Sequence, residues 1–283
     1  LLLPEERGYW FHIGNGTDAI ARYIEVRDWA SANGLEFLHI GLDMELDIND
    51  INIVKSSPLK AAFHFAGRLY NDGPLGRARR QYDSLLTLIR KDGYATESYY
   101  ASFVKDETAL GNTAIQQMTG FMDIRTDREI PMLYSSFMGN ADGLLTVYGR
   151  DAGVRTIALG STGGGFDPSL PMLSYQDLVH DIRLASSFAT EIHIFSLEGC
   201  VNRGFLSRLV SENLSPVSAI DQEQVGAVRK LQSVFRFLSV ALSYPTLFFI
   251  VLLLVPIGLL VLIFWLSKRV FGKIKLYFHR GNQ

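Results

Sequence analysis

The chain has 283 residues, 48% of them apolar and 20% charged, with one cysteine and a formal net charge of −2. That apolar content excludes a disordered tail or a collagen-like rod, and the single cysteine excludes a disulfide-stapled mini-protein. The charge is unevenly divided: residues 268–283 hold five Lys and Arg and no acid, while the other 267 residues carry 22 basic against 29 acidic side chains. An acidic body does not attract polyanions, which argues against nucleic acid as a partner.

Residues 1–210 alternate strand-like and helix-like segments. Residues 8–13 (GYWFHI) read as a short aromatic strand. Thr17 or Asp18 caps a helix that runs to about Asn33 and stops at Gly34. Residues 36–46 (EFLHIGLDMEL) are expected as a strand, 74–92 as a helix ending at Gly93, 94–104 as a strand, and 108–119 as a helix before Gly120. Short strands are expected at 121–124 and 131–137, then at 154–159, which runs into the glycine-rich turn GSTGGG. Ser174 and Asp177 make a capping-box pattern ahead of Leu178, Ile182, Ala185 and Phe188 at helical spacing, and 191–197 (EIHIFSL) is a compact apolar strand. Six or seven strands separated by helices point to a parallel sheet. About 200 residues fit a (β/α)8 TIM-like barrel short of its first unit better than a small open sheet, with a doubly wound sheet as the second reading.

Residues 211–243 combine a polar connector with the helical stretch GAVRKLQSVFRFLSVAL. This is either a linker helix or one lying on a membrane surface with Phe235, Leu238 and Leu242 buried. Leu247 to Leu266 is an unbroken run of 20 apolar residues. At about 1.5 Å per residue it covers roughly 30 Å, the thickness of a bilayer core, so residues 244–267 are expected as a transmembrane helix. Tyr244 and Trp265 stand near its two ends, where amphipathic rings favour the interface. The basic tail, 268–283, is then cytoplasmic and the body extracytoplasmic. Beginning LLLPEERGYW, with no Met and no signal-peptide pattern, the chain reads as truncated at its N-terminus.

Within 36–46, Ile40, Leu42, Met44 and Leu46 alternate with His39, Gly41, Asp43 and Glu45. An apolar face therefore backs a polar one. Carboxylates on an interior strand face are costly except at the open C-terminal end, where barrel active sites are built and where Asp43 and Glu45 stand. Residues 39–47, HIGLDMELD, resemble the strand-ending D-x-E signature of glycoside hydrolase barrels of the chitinase-like and muramidase-like families. The resemblance implies Glu45 as general acid and Asp43 as the residue that orients it or tunes its pKa. Gly41 and Leu38 stand where two further acids of the chitinase pattern would be, which argues against a substrate-assisted mechanism on N-acetyl sugars. The same residues also read as an exposed strand end leading into the acidic loop of Asp47 and Asp50.

Glu198 follows the strand in IHIFSLEGC. It is the expected nucleophile or base, or else a capping or salt-bridge residue at the turn. Glycosidases hold two carboxylates across the scissile bond, roughly 5–5.5 Å apart for retention and 6.5–9.5 Å for inversion. His39, Trp10, Glu97, Tyr99, Tyr100, Asp106 and Glu107 are expected to bind substrate, because rings stack on pyranose faces while acids bond hydroxyls. Packing beneath a loop is the alternative for each ring. Gly160, Ser161, Thr162, Gly163 and Gly164 form a weak anion-binding candidate, against a plain flexible turn. The histidines have no metal-ligand spacing, and there is neither a P-loop lysine nor a G-x-S-x-G serine, so no metal or cofactor is expected, with a metal held by His39 and Asp43 or Glu45 as the lesser alternative.

The function expected is a membrane-tethered glycoside hydrolase-like barrel acting on a cell-surface or envelope glycan. Its expected partners are carbohydrate and the lipid bilayer, with a neighbouring membrane protein as a further candidate. The alternatives are a non-catalytic sugar- or partner-binding barrel and a phosphosugar-handling barrel that uses GSTGGG.

Overall fold

The computed structural model describes residues 1–163, 171–216 and 219–254, and the chain divides into two units, 1–240 and 241–283. In the first unit a 3-10 turn at Glu5–Arg7 precedes α1 (Gly16–Ala32) and β1 (His39–Met44). Then come α2 (Ile48–Ser56) and α3 (Pro58–Arg68), capped by the Asp47 and Ser57 side chains, which accept from the amides of Asn49 and Lys60. The chain continues through α4 (Gly73–Lys91), β2 (Ala95–Tyr100), α5 (Phe103–Ala109), α6 (Ala114–Thr119) and β3 (Arg128–Pro131). Next are α7 (Ser135–Met138), α8 (Ala141–Leu145) with a π-helical turn at Thr146–Arg150, and β4 (Thr156–Gly160). α9 (Tyr175–Ala185), β5 (Glu191–Phe195), α10 (Leu197–Asn202), α11 (Phe205–Leu209) and α12 (Gln222–Leu242) complete the order. The capping box at α9 forms as the sequence pattern requires: Ser174 accepts from the Asp177 amide, and the Asp177 carboxylate accepts from the Ser174 amide.

The eight-stranded barrel expected from the sequence is not what forms. Among the described residues there are five strands in two small parallel sheets, β1-β2-β3 and β4-β5. Three expected strands fail for local reasons. Residues 8–13 contribute a single bridge, Phe11 to Met44, because Gly8 (φ +98°) and Tyr9 (φ +59°) turn the chain. Residues 121–124 follow the left-handed Gly120, and the Asp123 amide goes to the Gln116 side chain rather than to a ladder. Residues 131–137 leave the sheet after Met132, which bridges Ala158, and turn helical at Ser135. The class remains α/β, and every strand pair is parallel.

β2 lies between β1 and β3 with Thr96, Glu97 and Ser98 all buried, as a central parallel strand covered on both faces should be. Two apolar clusters support the sheets. Phe11, Leu42, Met44, Tyr82, Leu85 and Ile89 lock β1 onto α4, while Leu133, Ile157, Leu159, Leu178, Ile182, Val225 and Val228 lock β4 onto α9 and α12. Each such fully buried aliphatic side chain contributes about 1.5–3 kcal/mol relative to exposure.

In the second unit the described residues end in a helix, Pro245–Leu254. No single helix among the described residues is long and apolar enough to cross a membrane; α12 and Pro245–Leu254 meet that test only as a broken pair. The expected transmembrane helix is therefore not found as one continuous element, and residues 255–283, with most of the apolar run and the basic tail, lie outside the described residues.

Candidate active site at the strand ends

β1 carries the polar face read from the sequence. Ile40, Leu42 and Met44 are buried, while His39, Gly41 and Asp43 line a cleft of about 470 Å³ together with Glu97, Tyr99, Tyr134, His193 and Phe195. Glu97 and His193 of that lining belong to a charged network from β2, β3 and β5. Arg128 pairs with Glu97 at 2.9 Å and also with Glu191. His193 places Nε2 2.9 Å from Glu191 Oε1 and Nδ1 2.8 Å from the Tyr99 hydroxyl. In a flat arrangement β2 and β5 would stand three strand spacings apart, about 14 Å. A direct Tyr99–His193 bond therefore requires the strands to curve around the cleft. Gly41 permits it: a Cβ there would come 2.9 Å from the Tyr99 ring, so only glycine leaves the ring its place.

At the C-terminal end of β1, Asp43 and Glu45 stand two residues apart. The Phe11 bridge flanks them, with its amide donating to Asp43 O at 2.9 Å and the Glu45 amide donating to Phe11 O at 3.1 Å. Asp43 Oδ1 is buried with no hydrogen-bond partner among the described residues. Burial pushes the Asp43 carboxyl up to about 7. Burial, and then the charge of Asp43, hold Glu45 well above the usual carboxylate range. Burial raises Tyr134, with Asp43 and Glu45 acting further on it, and its ring stacks on Phe195 at 6.0 Å. Burial also raises Tyr9, and there the charges of Asp43, Glu45 and Glu198 act together.

Glu198 sits in the first turn of α10, exposed. The cap at that turn is Ser196, whose hydroxyl accepts from the Gly199 amide, so the capping alternative for Glu198 is not realised. Gly199 brings α10 against the loop after β4: a Cβ there would lie 2.5 Å from Gly163 O and 2.6 Å from the Thr162 carbonyl carbon. Gly199→Ala is expected to destabilise the protein by about 1–3 kcal/mol, read as a lowered denaturation midpoint. An unchanged midpoint would show that the loop yields.

The remaining expected site residues divide. His39, Glu97 and Tyr99 are in the cleft, with burial pushing the Tyr99 phenol up to about 12. Trp10 is buried and meets Tyr9 edge-on at 5.2 Å. Tyr100 is buried beneath the Lys105 ammonium. Glu107 is buried and accepts from the amides of Ile115 and Gln116 at the start of α6, and Asp106 accepts from Gln232, so neither lines the cleft. The glycine-rich turn has no free amides for an anion at its described positions. The Ser161 amide donates to Ser136 Oγ, that of Thr162 to Phe195 O and that of Gly163 to Ser161 Oγ. Gly160 is part of β4, and Gly164 lies outside the described residues.

Arg128, Glu191, His193, Tyr134 and Tyr9 escaped sequence reasoning. A signal existed for two of them: Glu191 and His193 alternate with Ile192 and Ile194, the same period that marks His39, Gly41 and Asp43. No group of three or more His, Cys, Asp or Glu among the described residues is arranged to hold a metal ion. Comparison of the chain with protein-family models, curated proteins and solved structures gave no match.

Proposed function

We propose that this protein is a carbohydrate-active hydrolase held at a lipid bilayer, acting on a cell-surface or envelope glycan through a pair of carboxylates. The observation that carries the reading is the cleft beside β1, where the unpartnered carboxyl of Asp43 lies with Glu97, Tyr99, Tyr134 and His193, while Glu45 follows two residues on and Glu198 lies outside the cleft lining. Raised pKa values suit the acid role, because a carboxyl must keep its proton near neutral pH in order to give it to a leaving oxygen. A charge on Asp43 raises the Glu45 carboxyl further and so favours its protonated form. The exposed Glu198 stands ready as nucleophile or base. The Tyr134–Phe195 stack offers an aromatic wall, and the Glu97, Tyr99 and His193 network offers hydroxyl partners.

Release of reducing ends from envelope polysaccharides by the full chain, and by Glu198→Gln, tests this. The full chain is expected to hydrolyse at least one glycan, and the variant to lose about 10²-fold or more of that rate. Tight glycan binding without hydrolysis would instead favour the sugar-binding alternative. The phosphosugar alternative has little support, because the glycine-rich amides it needs are already engaged.

A further inference from the structure

The helix α12 has two faces, and only one of them packs on the body. Val225, Val228 and Ser239 are buried, and Phe235 stacks on Phe103 of α5 at 5.3 Å. These positions recur at helical spacing along one stripe. The opposite stripe is exposed yet apolar: Val234 is 52% and Phe237 69% accessible, with Leu231 and Val240 exposed along its flanks and the cationic Lys230 beside them. A lone exposed Leu needs no explanation, but an aligned stripe on a helix that already has a buried face does.

The lack of acids and the apolar run that follows identify the occupant. From Gln224 to Leu266 there is no Asp or Glu, although the preceding body is acidic; Lys230 stands beside the stripe, while Arg229 pairs with Asp151 of the body. The stripe also runs directly, in sequence, into Leu247, Ile250, Val251, Leu252, Leu253 and Leu254, all of them exposed. An apolar stripe with a lysine beside it, in an acid-free segment leading to an apolar run, has the chemistry of a helix lying in the interface of a bilayer that contains anionic lipid.

We infer that the outer stripe of α12, centred on Val234 and Phe237, rests in the headgroup region of a bilayer that contains anionic lipid. The inference builds on the bilayer association proposed above. It also reverses the face expected from the sequence, since Phe235 faces the protein and Phe237 the lipid.

The test uses the full chain with vesicles of phosphatidylcholine and phosphatidylglycerol, carrying a polarity-sensitive fluorophore on single introduced cysteines. The variants are Val234→Cys, Phe237→Cys, Leu252→Cys and the remote Glu36→Cys. Cys200 is buried, and the unsubstituted chain supplies its labelling background. Probes at 234 and 237 are expected to shift to the blue and to lose most of their emission to nitroxide-bearing lipid, while the probe at 36 does neither. If the probe at 252 is quenched and those at 234 and 237 are not, the α12 inference is overturned and the bilayer association stands. If none of the three is quenched, both fall. Blue-shifted probes at 234 and 237 that ignore the nitroxide lipid, together with disulfide cross-linking of Phe237→Cys between chains, would assign the stripe to a second copy and likewise overturn it.

Discussion

Replacing Glu45 with glutamine is expected to lower glycan hydrolysis by about 10²–10⁴-fold, acting on kcat more than on KM. The amide keeps the volume and the hydrogen-bonding edge of the carboxyl but has no proton to give to the leaving oxygen. Desolvation, and then the charge of Asp43 two residues earlier on the same strand face, raise the Glu45 carboxyl well above its ordinary range, which favours keeping that proton. Activated aryl glycosides provide the internal control. Their leaving groups need little protonation, so the loss on them is expected to be far smaller than on the natural glycan. An equal loss on both would assign Glu45 to another role, and no loss on either would remove it from catalysis.

Asp43→Asn is expected to stabilise the protein at pH 8 and to leave its stability nearly unchanged at pH 4. The folded carboxyl titrates at about 7, against about 3.9 for an unfolded aspartate. Between those values the folded state holds a proton that the unfolded state has released. Stability from this group is therefore fully present below about pH 4, is lost as pH rises toward 7, and stays lost above that. The cost of keeping the charge in the cleft is on the order of a few kcal/mol. Asparagine cannot ionise, so the variant escapes it. Urea denaturation of parent and variant at pH 4, 6 and 8 measures the difference. A gap that fails to widen with pH would show that the Asp43 charge is solvated as well in the folded state as in the unfolded one. A stabilising substitution that also lowers hydrolysis would mark Asp43 as a residue retained for its chemistry at the expense of stability.

Much of the local structure was legible in the sequence because its causes are local. α4 follows from apolar residues at helical spacing, and α9 from the Ser174–Asp177 box, whose hydrogen bonds form within one turn. The alternation around Asp43 placed the acidic face of β1 correctly, because side chains on a strand must alternate. Where neighbouring elements decide, the reading failed. Pro58–Arg68 and Ala141–Leu145 are short helices whose partners lie elsewhere in the chain, and residues 8–13 look like a strand until Gly8 and Tyr9 adopt positive φ. Asp106 and Glu107 resembled rim acids, but Glu107 instead satisfies the amides at the start of α6.

By itself the sequence determined an acidic α/β body, a basic acid-free end and a pair of carboxylates at the end of a polar strand face, since charge and periodicity are properties of the chain alone. Only the tertiary structure decided how many strands join, which face of α12 is covered and which of many acids share a cleft. Those are questions of distance between residues far apart in sequence, such as Tyr99 and His193 at 2.8 Å. Such distances are set by packing of the whole unit, and no window of local sequence contains them.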